Sequence, residues 1–196
     1  MRSPVDRRSG RISAASLFVG LALLAAASLI YAVSVGSVDI SLVQLWHVLM
    51  GGGDNLHRSL ILELRLPRAL AAFATGAMLA VAGALMQVLL RNPLADPYIL
   101  GVSGGAAAGA LGAMLAGLGA SWVSGSAFCG AMISIVLVFG LARGAGGWTP
   151  TRLLLTGVVI AAGWGAVVSL LLAVSPEGNL RGMLFWLMGD LSNAQG

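Results

Sequence analysis

From Pro97 to Ala142 the chain runs 46 residues without a charged side chain. A helix crosses the hydrocarbon core of a bilayer in about 20 apolar residues, so this run is too long for one crossing and long enough for two. Gly117-Leu-Gly-Ala-Ser121 offers the break, with Trp122 as an interface marker. Ile12–Val38, Ala69–Leu90 and Leu153–Pro176 are also uncharged, and each fits one crossing. The pattern predicts an all-α polytopic membrane bundle of five transmembrane helices, at about 13–36, 67–90, 98–117, 122–142 and 152–174. Composition agrees. Of the 196 residues 58% are hydrophobic and 9% charged, where a water-soluble domain carries about a quarter charged.

The basic start (Arg2, Arg7, Arg8, Arg11) resembles a secretory signal, but the apolar run behind it exceeds the usual ~7–15 residues of a signal core. A retained first helix is expected, preceded by a cytoplasmic N-terminal tail at 1–11. With the N-terminus inside, Arg91, Arg143 and Arg152 join those four arginines on the cytoplasmic face. Arg58, Arg65, Arg68 and Arg181 fall outside, so the bias runs in the expected direction. The net charge of +4 does not indicate nucleic acid, because the arginines are scattered between apolar runs and form no patch. Cys129 stands alone, and His47 and His57 lack a second pair at zinc spacing, so no metal site is expected.

Small residues recur every four positions in three rows: Gly101, Gly105, Gly109, Ala113 and Gly117; Ala72, Gly76, Ala80 and Ala84; Gly157, Ala161, Gly165 and Ser169. A four-residue step keeps positions on one helix face, and small faces let membrane helices approach closely. Gly76, Gly101, Gly105, Gly109, Gly157 and Gly165 are therefore expected at helix-packing seams. Between the second and third helices, Arg91 to Pro97 reads as a short cytoplasmic turn. Pro93 ends the second helix near Asn92, Asp96 is a natural N-cap, and Pro97 suits the first turn of the third helix.

Little in the chain suggests catalysis. Gly101-Val-Ser-Gly104 matches the G-x-S-G of intramembrane serine proteases, but no His, Lys, Asp or Glu lies in a predicted span to act as base. Ser103 is expected to return its hydroxyl to a backbone carbonyl. No G-x-x-x-x-G-K-[ST] phosphate loop is present, so any ATP used is bound by another chain. The absence of ionisable residues within spans also argues against a proton-coupled transporter.

Between the first two spans, Leu42, Val43, Trp46, Leu49 and Met50 have helical spacing and Gly51–Gly53 end it, which predicts a short interfacial helix. Then comes Glu63-Leu-Arg-Leu-Pro-Arg68, with Arg65 and Arg68 at a helix start, where the macrodipole disfavours cations. Two readings stand: phosphate snorkelling or an ion pair with Glu63, and a docking point for an acidic partner, since Arg forks suit carboxylates.

Leu64 to Ala110, LRLPRALAAFATGAMLAVAGALMQVLLRNPLADPYILGVSGGAAAGA, closely resembles the FecCD-type permeases of type II ABC importers for iron-siderophores, haem and vitamin B12. TPTRLLLTGV (Thr149–Val158) and LRGMLFWLMGDL (Leu180–Leu191) resemble later motifs of the same half. The resemblance implies a membrane-spanning, non-enzymatic permease subunit in the bacterial cytoplasmic membrane. It implies a homodimer or pseudo-dimer with a second permease copy, ten helices each. Cytoplasmic ATPase subunits hold the ATP, this chain binds no cofactor, and an extracytoplasmic substrate-binding protein delivers the ligand. It assigns binding-protein docking to Arg65 and Arg68, the cytoplasmic gate to Thr149, Pro150 and Thr151, and a signature turn to Asn92, Pro93, Asp96 and Pro97. An iron-siderophore-type chelate is the expected cargo. Family chains continue through a sixth helix and a coupling segment, so residues 12–196 read as an N-terminal, incomplete permease domain. The alternative is a non-transporting membrane bundle or truncated permease fragment.

Overall fold

A computed structural model describes residues 13–36, 38–143, 147–189 and 191. The tail expected at 1–11 lies outside them. Contacts divide the chain into two units, Met1–Ala74 with Leu191–Gly196, and Thr75–Asp190.

In the first unit, α1 (Ala14–Ser34) is followed by α2 (Leu42–Leu49), the short helix expected between the first two spans. Ser41 and Gln44 close a capping box at its start, each side chain accepting the other's backbone N–H. Leu45 and Val48 are buried and Trp46 is exposed. Next, α3 (Asn55–Ser59) runs through a π-helical segment, Leu60–Arg65, into α4 (Leu66–Leu90). The expected start near residue 67 is thus wrong, because the helix begins at Asn55. Pro67 sits inside the helix. In an α-helix its ring would crowd the Glu63 carbonyl. The π segment widens the helix just before it, and the Leu66 N–H bonds Ile61 O, five residues back. Ile61 is fully buried beside Val33, Ile40, Leu45, Val48 and Ala69, which form this unit's core.

In the second unit, α4 ends at Leu90 and the chain turns into a 3-10 helix, Pro97–Leu100. Then come α5 (Val102–Leu115), α6 (Ala120–Ala142), α7 (Pro150–Val174) and α8 (Glu177–Met188). The expected third span, 98–117, shrinks to the 14 residues of α5, about 21 Å at 1.5 Å per residue. Gly101 (φ 68°) and Gly117 (φ 70°) are left-handed and bound the helix, although their spacing had placed them in one continuous row. Among the described residues, four helices are long and apolar enough to cross a membrane: Ala14–Ser34, the continuous Asn55–Leu90, Ala120–Ala142 and Pro150–Val174. α5 is instead buried in protein: Gly105, Ala107, Ala108, Ala110, Leu111 and Ala113 are all buried. Where α5 meets α6, a Cβ on Gly105 would overlap the Gly130 carbonyl, one on Gly130 the Gly105 carbonyl, and one on Gly109 the Ser126 carbonyl. The two backbones touch with no side chain between them, the close approach that small residues permit in lipid.

Three helices end in the same way. In α2, Gly51 N–H bonds Val48 O (3.0 Å) and Gly52 N–H bonds His47 O (2.9 Å). In α5, Gly117 bonds Met114 O (3.0 Å) and Leu118 bonds Ala113 O (3.0 Å). In α4, Arg91 bonds Val88 O (3.3 Å) and Asn92 bonds Gln87 O (3.1 Å). This paired closure puts one residue in the left-handed region, usually glycine. Gly51 and Gly117 meet that preference, but α4 places Arg91 there at φ 50°. A side chain in this region costs about 1 kcal/mol or more.

Candidate functional site

Arg65 sits on the π segment, where its guanidinium reaches the C-terminal end of α1. Nη1 donates to Val33 O (3.0 Å) and Ser34 O (3.1 Å), and Nη2 donates to Val38 O. Val33 and Ser34 belong to the last turn of α1, whose carbonyls lack intrahelical donors. A cation there suits the negative end of the helix dipole. The expected penalty for an arginine at a helix start therefore does not arise, because Arg65 lies mid-helix on its own element and caps another. The Glu63 pairing does not form among the described residues. Arg68, one turn further on and exposed, donates from Nε to Leu191 O (3.3 Å). Both arginines line a cavity of about 520 Å³ whose other walls include Val35, Leu60, Leu64 and Ala72.

Nearby on the same unit, Asp54 pairs with His57. That hydrogen bond holds the Asp54 carboxyl below the usual carboxylate range. No group of three His, Cys, Asp or Glu side chains that could hold a metal ion occurs among the described residues.

In the second unit, the signature turn is held by its own polar groups. Asn92 Oδ1 accepts from Leu94 N–H (2.9 Å), and Asp96 Oδ1 accepts from Tyr98 N–H (2.7 Å). Pro97 opens the 3-10 helix that Asp96 caps, and Pro93 follows the end of α4. The buried Ser134 hydroxyl on α6 donates to Leu100 O (3.0 Å). A Cβ on Gly101 would press on the Ala161 backbone of α7, and one on Gly157 would overlap Ile99 O. Turn, α6 and α7 are thus locked at one point. Gly76 and Gly165 differ: no neighbouring atom among the described residues lies within 4 Å of a Cβ built at either. Gly165 thus lacks the close approach that Gly157 and Ala161 of the same row make, and Gly76 lacks one as well. Ser103 is exposed and makes no hydrogen bond among the described residues, contrary to the expected return to a carbonyl.

Thr149 is the N-cap of α7: its Oγ1 accepts from Arg152 N–H (3.3 Å), Pro150 opens the helix, and Thr151 is exposed. Trp148, just before, donates from Nε1 to Phe139 O near the end of α6 (2.8 Å) and meets the Phe139 ring edge-on at 5.8 Å. The Arg143 guanidinium stands 5.9 Å from the Trp148 ring. The segment named as a gate is built as a capped helix start with an aromatic brace. Sequence reasoning missed the Trp148 brace, the Arg65 cap and α8, although Ser41-x-x-Gln44 was a readable capping signal.

A model of the FecCD transport family matches residues 22–196. The uncharacterized ABC transporter permease protein YvrB of Bacillus subtilis is 36% identical over 194 residues, covering 91% of this chain and 54% of that protein. The vitamin B12 import system permease protein BtuC of Yersinia enterocolitica is 41% identical over 138 residues, covering 69% of this chain and 41% of that protein. Among solved structures, an inward-facing conformation of a metal-chelate type ABC transporter aligns with TM-score 0.80 at 30% identity. It covers 92% of this chain and 55% of the other. The chain spans about half the length of the curated relatives it matches first.

Proposed function

The chain belongs to the FecCD transport family, and from that membership we propose that it forms part of the membrane pathway of an ATP-driven importer for an iron-siderophore-type chelate. The family match over residues 22–196 supports the importer reading, four helices of membrane-crossing length among the described residues support a multi-pass place in the membrane, and the arginine bias between the spans supports an N-terminus inside. ATP is hydrolysed on separate ATPase subunits, and an extracytoplasmic binding protein delivers the chelate. A second permease copy faces α7, whose Leu155, Val158, Val159 and Leu170 are exposed. Thr149, Pro150 and Thr151 narrow the cytoplasmic end, and alternating access rotates α7 against the turn it contacts at Gly101 and Gly157. Each bound partner shifts that equilibrium only through contacts that differ between the two states.

Arg65 and Arg68 present the docking charge. Arg68 is the more exposed of the two, so it makes the direct contact with an acidic side chain, while Arg65 holds the surface in shape. In the complete permease reconstituted with its ATPase and binding protein, Arg68→Glu is expected to weaken binding-protein capture about tenfold or more, as like charges meet at the rim. Uptake of a radio-iron siderophore should fall with it, and excess cobalamin should not compete. Unchanged capture would remove the docking role. Competition by cobalamin would reassign the cargo and leave the docking role intact.

A further inference from the structure

Trp148 gives its indole N–H to the Phe139 carbonyl, nine positions back in the chain (2.8 Å). Phe139 is one of the last four residues of α6, whose carbonyls have no donor within the helix. The Arg143 N–H, which would otherwise close this turn, makes no backbone bond among the described residues, because the chain at Arg143 is already extended (ψ 110°). The indole therefore supplies the donor that the backbone withdraws. A tryptophan at a membrane interface ordinarily turns its N–H to the wet side, whereas this one turns it to a helix end. Two further contacts fix the ring. Phe139 meets it edge-on, with planes at 84° and centroids 5.8 Å apart. The Arg143 guanidinium stands 5.9 Å from its centroid, within cation–π range.

What the ring holds is the start of α7. Thr149 alone separates Trp148 from the first helical residue, Pro150. Proline confines the residue before it to extended backbone, and Thr149 has φ −124° and ψ 148°. Its Oγ1 and carbonyl accept the N–H groups of Arg152 (3.3 Å) and Leu153 (3.0 Å). The link from indole to helix is thus short and stiff, so a fixed ring fixes the first turn. Leu153, at the end of that turn, is buried with Val138 and Ala142 of α6. The start of α7 is therefore held to the end of α6 at two points. Every partner lies within this chain, so the arrangement does not depend on what covers its outer faces.

We propose that Trp148 is a positioning residue for the gate. It holds Thr149, Pro150 and Thr151 against the end of α6, so that the gate and α6 move as one body. This inference rests on the importer reading and on the gating role given to those three residues.

Two measurements on the complete permease, reconstituted with its ATPase and binding protein, test it. Amide hydrogen exchange reports local opening. In Trp148→Ala the Arg152 and Leu153 amides should exchange about tenfold faster, while the α5–α6 seam around Gly109 and Gly130 stays within about twofold of wild type. Trp148→Phe keeps a ring beside Phe139 but has no N–H, and should fall between the two. Transport is read as ligand imported per ATP hydrolysed, with a radio-iron siderophore and, in parallel, radiolabelled cobalamin. Trp148→Ala should lower that ratio about threefold or more at an ATPase rate within about twofold of wild type, since hydrolysis then proceeds without moving the gate. A role in folding alone would lower uptake and hydrolysis together and leave the ratio unchanged. Unchanged exchange at Arg152 and Leu153, faster exchange along the whole bundle, Trp148→Phe matching wild type, or an unchanged ratio would each overturn the proposal. A wild type that imports neither probe would overturn the importer reading and the gate with it, whereas the exchange pattern judges the brace in either case.

Discussion

Gly130→Val in α6 is expected to destabilise the protein by about 3 kcal/mol, because the new side chain has no room where the α5 and α6 backbones meet. A Cβ alone already overlaps the Gly105 carbonyl, and the Gly109 backbone N is next nearest. Backbone cannot rotate aside as a side-chain tip can. The helices must part, and every contact along the seam loosens with them: Gly109 against Ser126, and Ala110 and Ala113 against Val123. For a chain of this size that loss corresponds to a fall of roughly 6–12 °C in unfolding temperature. Gly112→Val is the matched control on α5. No atom lies within 4 Å of a Cβ there, and the residue borders an open cavity of about 640 Å³. It should shift the melting point by less than about 2 °C, since a surface change away from packed features stays within about 0.5 kcal/mol. Equal melting points for the two variants would show that the seam does not hold the bundle.

The second large effect is on Arg65. Arg65→Gln removes charged donors from the Val33, Ser34 and Val38 carbonyls at once. Hydrogen bonds to a charged group contribute about 1.5–3 kcal/mol each, and glutamine is too short to replace the fork, so a loss of about 3–5 kcal/mol is expected. Arg65→Lys should recover less than half of it, because an ammonium is a point charge without the guanidinium's spread of donors. Arg68→Gln, at an exposed position, should change stability by less than about 1 kcal/mol. Thermal melts of the three variants beside binding-protein capture separate structure from docking. A normal melt for Arg65→Gln with capture abolished would discard the helix-end role and leave docking as its only task.

The features legible in the sequence were those set by neighbours along the chain. Asp96 and Pro97 at the turn, Gly51 after α2 and the close contacts at Gly105 and Gly109 follow from local backbone preferences and a four-residue step. That same step misled at Gly101, since spacing cannot distinguish a glycine packed in a helix from one that ends it, whereas Gly117 ends α5 where the Gly117–Ser121 break was expected. The step misled again at Gly76 and Gly165, where no atom among the described residues lies within 4 Å of an added Cβ. The helix start expected near residue 67 falls late, because a proline inside a helix is costly and the π segment that accommodates Pro67 has no signature in single residues. The role of Arg65 depends on atoms about thirty positions earlier in the chain, which no local pattern reports. The gate was assigned by family resemblance alone, whereas docking at Arg65 and Arg68 was one of two readings the residues offered and the resemblance singled it out.

The shortness of α5 bears on how the protein is made. A helix of 14 residues is shorter than the ~20 that cross the hydrocarbon core as a single span. Rich in glycine and alanine, it offers little to acyl chains and much to α6. We expect α5 to enter the membrane together with α6, as a hairpin, and not alone. In a Cys129→Ala background, Ala107→Cys on α5 should react with a water-soluble maleimide in chains released at residue 118 and be protected in chains released at residue 143.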